Sequence, residues 1–245
     1  EHGRPSDMEG MRSGILVSQD DHIYLRRAKF NKQLEEQKSQ NITKLGDRKI
    51  GMHLFSNTSL LYDSQWDRSY WMYSARWPGF YFSVRAPKSG SILVFNDSVT
   101  FANKHYDRLT DHSPIHVHGQ GNLLYADQND TEPILVGDSD KPEPVQWLPE
   151  APETLANGEF CAYHHPTINY DKGPGFSRSR PPLWSQRVSI RTRAMVLSDS
   201  LLFIAGPPDR IPPDDPLATF QGRKGAYLKV VSTSGNDLSI YKINT

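Results

Sequence analysis

Short apolar runs separated by tight polar turns set the rhythm of this chain, and each pair of runs reads as a β-hairpin. Ile15-Leu-Val17, Ser18-Gln-Asp-Asp21 and His22-Ile-Tyr-Leu25 form the first. Ile92-Leu-Val-Phe95, Asn96-Asp97 and Ser98-Val-Thr-Phe-Ala102 form the second. Ala194-Met-Val-Leu197, Ser198-Asp199 and Ser200-Leu-Leu-Phe-Ile-Ala205 form the third. β-Branched and aromatic residues suit a half-buried pleated surface, while Asn, Asp and Ser accept the backbone of a short turn. Gly121-Asn-Leu-Leu-Tyr-Ala126 reads as a weaker half-copy. On this reading Tyr24, Phe101, Tyr125 and Phe203 hold one equivalent place in a recurring unit.

The last hairpin runs through Ala226–Val231, a turn at Ser232–Asp237, and Leu238–Ile243. A period of two puts Tyr227, Lys229 and Val231 on one face and Leu228 and Val230 on the other. Joined to the Ala194–Ala205 hairpin, it predicts a four-stranded antiparallel meander interrupted by a long loop. Helical periodicity is almost absent. The one helical stretch to consider, Lys29–Leu45, is very polar, and Phe30, Leu34 and Leu45 make no sustained stripe. It reads as a solvated excursion or a short surface helix.

A single four-stranded sheet buries one face and is marginal alone, so sheets of this kind must pack on one another. Several in series make a propeller; a two-sheet sandwich is the alternative. The expected fold class is all-β: a β-propeller of four-stranded antiparallel blades, incomplete as a ring, with long Pro-rich loops. Residues 1–245 read as a single propeller region, with blade-like hairpins near 14–30, 90–103, 121–136, 188–206 and 226–243. The chain opens on Glu1-His-Gly-Arg and stops at Thr245 directly after a strand, so an excerpt of a longer chain is expected.

Charge and cysteine content narrow the function. Lys plus Arg and Asp plus Glu number 28 each, which argues against a strongly basic nucleic-acid binder. Cys161 is the only cysteine, which excludes an intramolecular disulfide, a four-thiolate zinc site and an iron–sulfur cluster. No apolar run approaches the roughly 20 residues of a membrane-spanning helix. A nucleophile elbow, a phosphate-binding loop and a dinucleotide-binding glycine fingerprint are all missing. A protein or glycan partner is the remaining expectation.

Three stretches carry candidate chemistry. In Asp111-His-Ser-Pro-Ile-His-Val-His118, an extended backbone sets His116 and His118 on one face, a spacing that can chelate a divalent metal, with Asp111 or Asp107 to complete the set. Surface histidines are common, and no third ligand stands at a diagnostic spacing. The aromatic run Trp66–Phe82 offers Trp66, Trp71 and Trp77 for stacking on a sugar ring. The same residues serve equally as core, since alternation sends Tyr70, Met72 and Ser74 one way and Trp71, Tyr73 and Ala75 the other. Acidic residues crowd Asp127–Glu159, and 13 of the 18 prolines lie between Pro142 and Pro216. These are stiffened connections, read either as a decorated mouth for a ligand or as solvated surface.

At several of these residues the chain resembles a family. Gly14-Ile-Leu-Val-Ser18 with Ile23-Tyr-Leu-Arg26, His53-Leu-Phe-Ser56, Trp66-Asp-Arg-Ser-Tyr-Trp71 and Ser91-Ile-Leu-Val-Phe95 come in a familiar order. So do Arg193-Ala-Met-Val-Leu197, Leu202-Phe-Ile-Ala-Gly-Pro-Pro-Asp209 and Gly222-Arg-Lys-Gly225. Together they look like the propeller region of bacterial pyrroloquinoline-quinone (PQQ)-binding-like repeat proteins, similar in blade type to quinoprotein alcohol dehydrogenases. The matches are scattered over about 12–243 and are thin across about 104–184. In quinoproteins of this type a Thr-Gly turn is followed by a tryptophan that docks on the neighbouring blade. Here Thr233-Ser-Gly235 is followed by Tyr241, and a chain with Cys161 alone cannot form the adjacent-cysteine ring found beside the quinone. The resemblance therefore implies the architecture more than the cofactor. It implies a non-catalytic propeller scaffold of an exported bacterial protein, periplasmic or extracellular. The alternatives are a dehydrogenase using PQQ and calcium, or a carbohydrate-binding or carbohydrate-processing propeller.

Overall fold

The computed structural model describes residues 15–25, 28–37, 49–56, 71–76, 86–104, 122–131, 181–210, 212–215, 217–219 and 221–243. All regular structure among them is β-strand, in four antiparallel sheets. The first sheet holds β1 (Leu16–Gln19), β2 (His22–Leu25), β3 (Ala28–Phe30) and β4 (Glu36–Gln37). The second holds β5 (Lys49–Ser56), β6 (Trp71–Arg76) and β7 (Ser89–Gly90). The third holds β8 (Ile92–Phe95), β9 (Val99–Lys104), β10 (Asn122–Gln128) and β11 (Trp184–Val188). The fourth holds β12 (Ala194–Ser198), β13 (Leu201–Gly206), β14 (Ala226–Ser232) and β15 (Asp237–Ile243). In every sheet, strands adjacent in the chain are adjacent in space, so each is a simple meander. No described helix is long and apolar enough to cross a membrane.

Turn chemistry fixes the hairpins. Asp20 and Asp199 sit in the left-handed region at φ 52° and 39°, which aspartate tolerates better than most residues. At the β8–β9 turn the Asn96 side chain accepts the backbone N–H of both Ser98 and Val99, at 2.9 and 2.8 Å. Asn31 does the same after β3, accepting from Gln33 and Glu35, and so turns the chain into β4. Residues 28–37 are thus two short strands rather than a helix or a bare excursion, because Lys29 and Phe30 find cross-strand partners in β2; the rest of the Lys29–Leu45 stretch lies outside the described residues. Of the hairpin expected at 121–136, only 122–131 is described, and it behaves differently. Asn122–Gln128 pairs back onto β9 and forms the third strand of its sheet. The 226–243 hairpin completes the predicted meander with β12 and β13 across the 207–225 loop.

The sheets stack in chain order, and every stacking contact has the same sense. Tyr24 of the first sheet lies flat on His53 of the second, ring centroids 3.8 Å apart. Tyr73, on the opposite face of the second sheet, stacks on Phe95 of the third at 4.1 Å. Ile92, Val94, Phe101, Leu124 and Ala126 of the third sheet pack against Met195, Leu202, Ile204 and Val231 of the fourth. The reverse face of the third sheet carries Leu93, Ala102, Leu123 and Tyr125 in a second apolar cluster. Both of its faces are therefore occupied, and a two-sheet sandwich leaves each sheet an open face. The four sheets form a series. First strands lie side by side at two of the three junctions, β1 beside β5 and β8 beside β12, while at the junction between the second and third sheets β8 lies beside β6 and β7. Tyr125 lies on the reverse face, so it is not equivalent to Tyr24, Phe101 and Phe203, which all face forward along the series.

Candidate functional site

Among the described residues, the densest set of buried polar groups lies between the second and third sheets. The segment Ala86–Gly90 leads into β7 and is wholly buried, Lys88 included. β9 and β10 bring Thr100, Lys104, Tyr125 and Asp127 to the facing side, all within 1% of full burial. Alternation explains the placement, because these positions share a face with Ala102 and Leu123.

Lys88, Lys104 and Asp127 each bond to backbone. The Lys88 ammonium donates to the Asn129 carbonyl at 2.7 Å, and its own N–H donates to Asp127 Oδ2 at 2.8 Å. Lys104 Nζ donates to the Ala86 carbonyl at 3.2 Å and stands 5.1 Å over the Tyr125 ring. The Tyr125 hydroxyl accepts from Ser89 N–H at 3.0 Å and donates to the Ser89 carbonyl. Asn129 closes the upper end, accepting from Thr100 Oγ1 at 2.6 Å and donating to the Asn96 carbonyl at 2.7 Å. Burying charge is costly unless such bonds offset it. The arrangement clamps two sheets in register. Lys88 itself stands at φ 53°, a conformation for which the clamp compensates.

The third–fourth interface holds a second notable group. Trp184, at the start of β11, donates from Nε1 to the Thr233 carbonyl at 2.8 Å. Its indole covers Gly235, where an added Cβ would come within 2.7 Å of Trp184 Cγ. Gly235 also stands at φ 92°, so a glycine is required twice over. The Thr233-Ser-Gly235 turn therefore does receive a tryptophan, supplied by the neighbouring sheet rather than by its own β15. In the same interface the Asn103 side chain, fully buried, makes no hydrogen bond through either Nδ2 or Oδ1.

Two further electrostatic features are local. Burial, then the nearby Asp20 carboxylate, pushes the Tyr24 hydroxyl above its ordinary pKa. In the 207–225 loop Arg223 grips Asp215 with both guanidinium ends, and that bond holds the Asp215 carboxyl below the usual carboxylate range.

Of the residues singled out by sequence, Trp71 lies half-buried in β6, paired with Gly90. Trp66, Trp77, His116 and His118 lie outside the described residues, as do Asp107 and Asp111. So does most of the acidic stretch; its first member, Asp127, is the buried clamp residue. Met72 and Ser74 share one face of β6 and Tyr73 takes the other, as the alternation predicted, and all three are buried. Among the described residues, no three His, Cys, Asp or Glu side chains converge as metal ligands. Sequence reasoning missed Lys88, Lys104 and Trp184. For Lys104 the signal was present, since it follows Thr100 and Ala102 at a spacing of two in a strand otherwise apolar or small. No family model, curated protein or solved structure matches the chain.

Proposed function

We propose that this chain is a propeller-type scaffold, a non-catalytic binding module of an exported bacterial protein of the PQQ-binding-like repeat kind. The observation that carries the reading is the third sheet, covered on both faces by its neighbours in chain order. In a propeller each blade is covered in this way, and the first strands gather toward one axis, which the β1–β5 and β8–β12 contacts support at two of the three junctions. Trp184 on the Thr233-Ser-Gly235 turn adds a sheet-to-sheet dock of the sort the resemblance implies. A scaffold role is supported by the buried clamp, whose ammonium and carboxylate groups are engaged by backbone. The rigid sheets would hold loops such as 207–225 for a protein or glycan partner.

Reconstitution with calcium and PQQ, followed by a dye-linked assay on a panel of primary alcohols, tests this reading. We expect no dye reduction and no shift in the quinone absorbance. Turnover that requires both additions replaces the scaffold with a quinone-dependent dehydrogenase.

A further inference from the structure

We infer that a second copy of this chain docks head-to-tail on the open face of the fourth sheet, using the open face of its own first sheet. Each internal contact joins the forward face of one sheet to the rear face of the next. In the third sheet the forward face is marked by Val94 and Phe101, which meet the fourth sheet. Counted from the hairpin turn, Val196 and Phe203 hold those same two places in the fourth sheet, on the side away from the third. Among the described residues no fifth sheet lies against that side, and Val230 within it is buried. Val196 is 58% exposed, Tyr241 57% and Ile243 47%, with Leu201, Phe203 and Leu228 half-buried between them.

Composition marks this face as an interface. By register, no position of β12–β15 on it is charged; Lys229, Asp237 and Lys242 all fall on the side toward the third sheet. A solvated sheet face alternates with charged and polar side chains, and an uncharged apolar one of this extent is a docking surface. The forward face of the third sheet is uncharged in the same way, and a sheet covers it.

The complementary surface is at the other end of the series. The rear face of the first sheet carries Leu16, 65% exposed, with Ile23, Leu25 and Phe30 half-buried, and Glu36 on its outermost strand as the charged exception. Rear faces of this kind are what forward faces meet elsewhere in the series. A second copy supplies one, and two copies related by a two-fold axis satisfy both open faces at once. Each contact joins two different faces, and under the two-fold axis it occurs twice, so the interface as a whole is isologous and closed. The inference rests on the direction of the stack and not on a ligand-binding role, so quinone activity would leave it standing and a monomer would leave the scaffold role standing.

Sedimentation velocity on the 245-residue chain decides it, with far-ultraviolet circular dichroism to confirm folding of every variant. At about 100 µM we expect a mass of at least twice the 27.8 kDa of one chain. V196E and L16E alter exposed positions on opposite ends, and each alone is expected to give monomer. Mixing the two variants restores one intact contact, so the mixture associates at least about tenfold more tightly than either variant by itself. Wild-type monomer at that concentration overturns the inference. Dissociation by V196E with no effect of L16E also overturns it, because the fourth sheet would then be pairing with itself.

Discussion

Asn103 is the residue whose surroundings and chemistry disagree most. Its side chain is fully buried on the face turned toward the fourth sheet, with Ile92 and Leu124 as cross-strand neighbours, yet the amide makes no hydrogen bond. The equivalent position in the fourth sheet, counted from the turn, is Ala205, a residue with nothing to satisfy. A buried unmet amide costs about 1–3 kcal/mol, and removing it for an apolar group of similar size returns that amount. N103L is therefore expected to raise the midpoint of thermal unfolding, by roughly 1–2 kcal/mol of stability. Calorimetry checks this. A loss of stability would mean that the amide is used in solution, by a bound molecule or by a rearranged neighbour. The buried lysines are the opposite case. Lys88 and Lys104 look out of place by composition, but each ammonium donates to a buried backbone carbonyl.

At the scale of the element, alternation was the reliable guide. Positions such as Met72 against Tyr73, and Lys229 against Val230, take the faces that a period of two assigns them. The hairpin turns at Asp20, Asn96 and Asp199 were equally legible, because turn chemistry is local. Whether a strand opens a new sheet or continues the last one is not local, and so Gly121–Ala126 reads as a half-copy in sequence although Asn122–Gln128 continues the third sheet. Its motif suits either role; only pairing with β9 decides between them. Trp184 was illegible for the same reason, since the turn it covers lies 49 residues further on. That contact makes a sharp prediction. Gly235→Ala must both strain a φ of 92° and push against the indole, and is expected to cost more than about 1 kcal/mol. W184A removes a half-buried indole and should cost about 3 kcal/mol. In the W184A background the Gly235→Ala cost should fall, leaving the backbone strain alone. A double-mutant cycle by urea unfolding reads the difference, and strict additivity would show that indole and turn do not meet.

For the whole molecule, a series of sheets implies a gradient of protection along the chain. The third sheet is buried on both faces, so its amides open only when two interfaces open with it. Among the described residues the first and fourth sheets each have one face with no sheet against it, and β15 is also an edge strand with Leu238, Ile240, Tyr241 and Ile243 exposed. Opening free energy tracks buried apolar contact, so the elements should exchange in order of how many faces are covered. Amide hydrogen exchange is expected to be slowest in β9 and β10, at Phe101, Leu124 and Ala126, and faster by roughly tenfold or more in β1 and β15. Concentration then separates the two kinds of interface. Dilution below the association range should speed exchange in β12, β15 and β1 while leaving β9 and β10 unchanged, because the head-to-tail contact reaches only the ends of the series. If β13 and β14 instead outlast β9 and β10 in the dilute protein, the third sheet is not the middle of the stack. Both the propeller reading and the docking of a second copy would then lose the order of sheets on which they depend.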